Sequence, residues 1–444
     1  MKRDRWRASL ASAKEAVLCL SHKVEKLSTL NSREHIIISI TSPSFLPLLL
    51  ATRERQIEEG KAVRVTGQGG ERIGQEHSDD RSCPCRMSSG ERRCAQNCVK
   101  YRSGGWRRFP SSYIPAVGFG TVALTDTPGV VKAGIRKAIQ VGYRHFDTSA
   151  YYGTEALLGE VLREAFEDAE LKREDVFVTT KLWMGDCHKD GVLPAIQKSL
   201  KTLQLEYVDL YLIHWPLRVR KNGSKHKSVR DIQPEDFLPL DLISTWQAME
   251  KCRDLGLAKA IGVSNFSAKK LENLLPHVRY VPSVNQVEMH PTFRQSQLRD
   301  FCKRNGIQVV AWAPLAAPGV FYGVRSVIES PVIKEIAVKH GKTPAQVALR
   351  WGIENGVCVI PKSYNESRII ENFGVQDWSL TEQDHEGINN LPESRMYKAL
   401  MFCNDTTSPY RSYEDLWDEP MHTPPQTVDD AVGGAAEYVI AMIS

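Results

Sequence analysis

The chain changes texture near Trp106. From there, short apolar runs alternate with stretches whose apolar residues recur at helical spacing. The runs PAVGFGT (115–121), YRHFD (143–147), VFVTTK (176–181), YVDLYLIH (207–214), AKAIGVS (258–264), SVNQVE (283–288), IQVVAW (307–312) and VCVIP (357–361) predict strands. Helical periodicity covers 130–141, 155–166, 192–203, 242–255, 267–275, 296–305 and 344–354. Start signals precede several of these. Thr154 is placed to cap the second, Ser267 and Ser296 open two others, and Thr343 stands before Pro344. Strands alternating with helices in this way predict an α/β fold, a (β/α)8 TIM barrel. Connections 216–241 and 313–331 are long, and 375–420 is expected to form a C-terminal loop. The reading gives a low-order N-terminal extension over 1–105, a barrel over 106–420 and a tail over 421–444.

Charge sharpens the division. Residues 1–110 carry 21 Lys+Arg against 12 Asp+Glu, and the remainder 37 against 41. The basic character belongs to the extension, and the mildly acidic body offers no nucleic-acid surface. Residues 64–93 are polar and aperiodic, which reads as disorder. The apolar run 35–51 is interrupted by Pro43 and Pro47 and is short for a bilayer, so no membrane span is expected. Cys83, Cys85, Cys94 and Cys98 match no standard zinc spacing, and no metal is expected. Cys187, Cys252, Cys302, Cys358 and Cys403 are scattered, as reduced thiols of an intracellular protein are. Asp4, Glu15 and Glu25 weigh against an organellar transit peptide, which leaves a cytoplasmic location.

In a barrel, chemistry gathers at the C-terminal ends of the strands. Asp147 ends the second predicted strand, with Tyr152 five residues later. Lys181 ends the third. His214 ends the fourth, in YLIHWP, where Pro216 stops strand pairing. Ser264 and Asn265 end the fifth, Gln286 lies near the end of the sixth, and Lys362 and Ser363 follow the eighth. Each residue alone is more simply structural. Four chemically matched residues at successive strand ends are not. A tyrosine titrates near ~10 and is a reluctant acid; a neighbouring ammonium is expected to lower that value. Asp147 would hold the lysine, and His214 would orient the oxygen that Tyr152 protonates. A general acid aimed at a carbonyl oxygen, with neither nucleophile nor metal set, requires hydride from a nicotinamide cofactor. GFGTVA (118–123) fits a loose dinucleotide fingerprint, but turn residues follow it where a helix should, so its glycines read as a strand exit. In PKSYNESRIIENF (361–373), Lys362, Ser363 and Arg368 gather at a helix start, an arrangement that suits an anion. Glu371 and Asn372 lie one turn further on.

From 112 to 418 the chain resembles the aldo-keto reductase family. The resemblance rests on GYRHFDTSAYYGTE, VTTKLW, VDLYLIHWP, AIGVSNF, VNQVEMHP and VIPKSYNESRIIENF, in the family's order and spacing. EYVDLYLIHWP and SPYRSYEDLWD look most like the plant branch, which holds chalcone reductase-, codeinone reductase- and deoxymugineic acid synthase-like enzymes. The resemblance implies NADPH-dependent reduction of an aldehyde or ketone; a monomer is expected, although the sequence neither supports nor excludes a homo-oligomer. It implies Tyr152 as proton donor, Lys181 and Asp147 as its support, and His214 as substrate orienter. Thr121, Asp147, Ser264, Asn265, Gln286 and Trp312 would meet the cofactor; Lys362, Ser363 and Arg368 its 2′-phosphate; Glu371 and Asn372 its adenine. Trp183, Trp215 and Val122 would line the substrate pocket. Trp312 stands where the family commonly has tyrosine, and Ala313 lacks a usual hydroxyl. An alternative reading is an NADPH-binding barrel that serves as a regulatory or partner subunit; the intact four-residue set weighs against it.

Overall fold

The computed structural model describes residues 98–100, 113–123, 126–220, 229, 232–320 and 323–421. The apolar run 35–51, the thiols Cys83, Cys85 and Cys94, and the tail beyond 421 lie outside them. Strand β1 (Cys98–Lys100) pairs antiparallel with β2 (Tyr113–Pro115). Among the described residues, this short strand stands upstream of Trp106. A three-residue strand is too short to register as a hydrophobic pattern.

From here strands and helices alternate: β3 (Phe119–Gly120), α1 (Pro128–Val141), β4 (His145–Asp147), α2 (Glu155–Glu167), β5 (Phe177–Leu182), α3 (Val192–Leu203) and β6 (Val208–Ile213). A small hairpin, β7 (Arg218–Val219) with β8 (Phe237–Leu238), lies in the long connection that follows. Then come α4 (Leu242–Asp254), β9 (Ala258–Ser264), α5 (Ala268–Leu274), β10 (Val284–Glu288), α6 (Ser296–Arg304) and β11 (Gln308–Trp312). The last elements of the described residues are α7 (Pro331–His340), α8 (Pro344–Glu354), β12 (Cys358–Val359), α9 (Glu366–Phe373), α10 (Glu382–Asn389) and α11 (Tyr413–Trp417).

Eight of these strands form one parallel sheet in the order β3-β4-β5-β6-β9-β10-β11-β12. A parallel bridge between Val117 and Val359 closes it, with Gly118 N donating to Val359 O at 2.8 Å and Val359 N to Ala116 O at 2.9 Å. The sheet is thus the expected (β/α)8 barrel. Leu210, Leu212, Ala260, Val284, Val310 and Cys358 fill its inside, while Tyr211, Ile213, Ile261, Val263 and Val309 pack outward into the helical layer. Side chains alternate with a period of two along a strand. The same alternation carries Asp147, Lys181, His214, Ser264, Gln286 and Trp312 inward at the ends of their strands. Close helix packing is set by small residues: a Cβ at Gly159 of α2 would lie 2.3 Å from Leu203 O at the end of α3.

Three local expectations are corrected. Thr154 holds the N-cap position of α2 as expected but makes no side-chain cap; its Oγ1 meets those of Thr121 (3.0 Å) and Thr148 (3.1 Å) instead. Ser296 is the first residue inside α6, and the cap position belongs to Gln295 at φ 52°, whose amide donates to Glu288 O at 3.1 Å. Helix α7 follows the 313–331 connection, so two helices rather than one separate β11 from β12. Ser330 caps α7 and Pro331 opens it.

The C-terminal stretch is anchored rather than loose. Glu288, fully buried, accepts from Met396 N at 2.6 Å and Tyr397 N at 3.0 Å. Arg395, 5 % exposed, pairs with Glu419 at 2.7 Å and lies 3.6 Å over the Trp417 ring. Asp418 accepts from Lys270 at 2.5 Å and Ser267 at 2.6 Å. A second apolar cluster beneath this stretch gathers Trp215, Phe402, Tyr413, Leu416 and Trp417.

Low in the barrel, His145 is fully buried against Thr179 Oγ1 at 3.1 Å. Burial lowers its pKa to about 4, from an unfolded value near ~6.5. The unfolded chain takes up a proton in that window and the folded chain does not. Stability from this group is complete above ~6.5 and is lost as pH falls toward about 4, to the extent of roughly 3 kcal/mol. Denaturation midpoints measured from neutral to acid pH should fall across this window, and His145→Gln should flatten the fall. An equally steep fall in the variant would remove His145 as its source.

Candidate active site

The strand ends converge as their inward facing requires. Lys181 Nζ donates to Asp147 Oδ1 at 2.5 Å, to Thr148 O at 2.9 Å and to Tyr152 Oη at 3.3 Å. Gln286 Nε2 donates to Asp147 Oδ2 at 2.7 Å, so both carboxylate oxygens have partners. Lys181 and Asp147 are almost wholly buried, and a charged pair at this depth persists only with such full pairing. Tyr152 sits on a 3-10 turn, Ala150–Tyr152, capped by Ser149. Its ring stands edge-on to His214, with centroids 5.6 Å apart and planes at 81°.

Ser149 is a functional neighbour that the strand-end argument missed, because it lies between two strands. Its Oγ accepts from Tyr151 N at 3.2 Å and meets His214 Nδ1 at 3.1 Å. Where that hydroxyl donates to Nδ1, the neutral ring carries its proton on Nε2 and can donate from there. Burial, and after it the Lys181 charge, hold His214 well below the usual imidazole range, so the ring is neutral near pH 7.

The expectation that Lys181 lowers the Tyr152 pKa is not met in this arrangement. Loss of water around the phenol raises it well above the usual range, and Asp147 and Tyr151 add to the rise. The main physical reason is burial of the phenol, and the Asp147 carboxylate, 2.5 Å from Lys181, adds to it. Tyr152 is therefore held protonated.

Around this core, Ser264 Oγ donates to Gln286 O at 2.8 Å. Asn265, at φ 63°, donates through Nδ2 to His214 O at 3.0 Å and accepts at Oδ1 from Trp312 Nε1 at 3.0 Å. Ser264, Asn265, Gln286 and Trp312 thus form one wall. Thr121 Oγ1 donates to the Asp147 carbonyl at 3.0 Å. After β12, the neighbour of β11, Lys362 pairs with Asp126 at 3.0 Å, Ser363 is buried, and Arg368 lies exposed in the first turn of α9. Two cations and a hydroxyl beside a helix N-terminus fit a phosphate group. Glu371 accepts from Thr343 Oγ1 at 2.5 Å, and Asn372 is buried one residue on.

The predicted substrate walls separate. Trp183 stacks on Tyr151 at 3.9 Å and stands edge-on to His214 at 5.3 Å. Trp215 is 6 % exposed, with its ring against Phe402 at 4.9 Å and Tyr397 at 6.0 Å, so it lies chiefly under the C-terminal stretch. Val122 is partly exposed beside Thr121. Tyr151, another residue missed from sequence, also accepts from Val229 N at 3.0 Å and so ties the 216–241 connection to the site. Among the described residues, no cluster of three or more His, Cys, Asp or Glu side chains could hold a metal ion, and no helix is long and apolar enough to cross a membrane.

A closed parallel barrel with an Asp–Lys–Tyr–His set at its strand ends has the architecture of a barrel enzyme. Residues 116–393 match the model of the aldo/keto reductase family, and the chain belongs to that family. Deoxymugineic acid synthase 1 of Zea mays is 46% identical over 306 residues, covering 69% of this chain and 96% of that relative. The NAD(P)H-dependent 6'-deoxychalcone synthase of Glycine max is 48% identical over 315 residues, covering 70% and 96%. Among solved structures, the aldose reductase of Schistosoma japonicum matches with TM-score 0.61 at 36% identity, covering 67% of this chain and 96% of the other. The protein is an oxidoreductase that reduces a carbonyl group with a nicotinamide cofactor.

Proposed function

We propose that this protein reduces a small aldehyde or ketone to an alcohol with NADPH, taking the proton from Tyr152. The observation that carries the reading is the unbroken Asp147–Lys181–Tyr152 chain with His214 edge-on to the phenol. A nicotinamide held there would supply hydride for the carbonyl carbon. Tyr152, kept protonated, donates to the carbonyl oxygen. His214 donates from Nε2 to the same oxygen and fixes its direction. Lys181 stabilises the phenolate left behind, and Asp147 with Gln286 keeps Lys181 in place. Ser264, Asn265 and Gln286 would hold the carboxamide, the Trp312 face would pack on the nicotinamide ring, and Thr121 and Asp147 would complete the contacts. Lys362, Ser363 and Arg368 favour NADPH through its 2′-phosphate, with Glu371 and Asn372 toward the adenine. Trp183, Val122 and the rim of Trp215 would meet the substrate. Cys187, Cys252, Cys302, Cys358 and Cys403 are free thiols, in keeping with a cytoplasmic enzyme whose catalytic unit is the barrel over 106–420. No specific observation favours a regulatory subunit.

The test is cofactor oxidation followed by absorbance with a panel of aldehydes and ketones. Turnover is expected with NADPH and to be weaker with NADH. Equal turnover with the two would overturn the phosphate assignment, and none with either would overturn the proposed reaction.

A further inference from the structure

The cation placed to meet the 2′-phosphate already has an acidic partner, and that partner lies 236 residues earlier in the chain. Lys362 Nζ lies 3.0 Å from Asp126 Oδ2, with the two side chains 33% and 25% exposed. The contact is supported on both sides. Tyr364, two residues after Lys362, lies under its ammonium at 4.4 Å and donates from Oη to Thr121 O at 2.7 Å. Asp126 stands just ahead of α1, which packs on α9. A Cβ at Gly134 of α1 would lie 2.6 Å from the Tyr364 ring, Lys137 pairs with Glu366, and Tyr143 Oη donates to Ile369 O at 3.1 Å. Asp126 is therefore held beside Lys362 by the same packing that seats the phosphate-facing helix.

Resting on the NADPH reading above, we propose that Asp126 is a selectivity residue of the cofactor site. Its carboxylate competes with the 2′-phosphate for Lys362. A like-charged group at a partly exposed anion site weakens the binding of the doubly charged ester, and leaves a cofactor without that ester unaffected. Asp126 thus limits how far this barrel prefers NADPH over NADH and keeps the bound cofactor exchangeable.

The experiment measures dissociation constants of NADPH and NADH by quenching of intrinsic tryptophan fluorescence in the full chain, with no turnover involved. Asp126→Asn is expected to tighten NADPH by roughly three- to fivefold and to leave NADH unchanged. The gain should shrink at high salt. Lys362→Ala is expected to weaken NADPH, and adding Asp126→Asn to it should bring no gain. Asp254→Asn, which breaks the pair with Arg279 at the end of α4, is the charge-matched control and should change neither constant. If Lys362→Ala weakens NADPH but Asp126→Asn leaves it unchanged, weakens it, or tightens NADH equally, the Asp126 proposal is overturned and the phosphate site stands. If Lys362→Ala itself leaves NADPH unchanged, the phosphate assignment is overturned and the Asp126 role with it.

Discussion

Tyr152→Phe is expected to lower kcat by about 10²–10⁴-fold, the range that a positioned general acid contributes. The substitution removes one oxygen and keeps the ring that stands edge-on to His214. Of the bonds described here it loses only the 3.3 Å contact with Lys181. NADPH binding and the unfolding midpoint should therefore stay near those of the wild type, which separates lost chemistry from lost structure. The wild-type pH profile carries the same argument. Because the phenol is held above its ordinary range, reduction should show no loss from tyrosine ionisation below about pH 10. A variant with kcat within a few-fold of wild type would transfer the proton donor's role to His214.

Lys181→Met should act on activity and stability together. The ammonium is fully buried, and its removal leaves the Asp147 carboxylate with Gln286 as its remaining side-chain donor. Breaking a buried pair from one side costs about 3–5 kcal/mol, because a charge is left without its partner. Chemical denaturation should register that loss. The double variant Lys181→Met with Asp147→Leu should recover most of the stability and none of the turnover. Full stability in the single variant would mean that the pair does not bear on the fold, and recovered turnover in the double variant would sink the proposed role of Lys181.

Much of this site was legible from sequence for one physical reason. Buried parallel strands read as apolar runs, and the polar residue that ends each run marks the catalytic face. That rule found Asp147, Lys181, His214, Ser264 and Gln286 without any contact in hand. It could not find Ser149 or Tyr151, which act from a turn between strands where no periodicity singles out one residue of TSAYYGTE. It passed over α7, although Ser330 and Pro331 form an ordinary helix start, because the alternation of strands and helices asked for only one helix there. Glu288 with Met396 and Tyr397 was invisible for a different reason: nothing local in VNQVEMHP specifies a partner more than a hundred residues away. The direction of the Tyr152 shift was misread because it depends on burial, and on how closely Asp147 neutralises Lys181, neither of which a linear sequence states.

The buried carboxylate of Glu288 gives the described residues after Asn389 a structural role of their own. A chain cut after Asn389 would still contain all eight barrel strands. It would also leave an anion at the mouth of the barrel with its two amide donors gone. The barrel is therefore closed by hydrogen bonds around its girth and completed by charge at its rim. The C-terminal stretch belongs to the folding unit itself, so shortening it trades away the integrity of the catalytic face as well as the walls around a substrate.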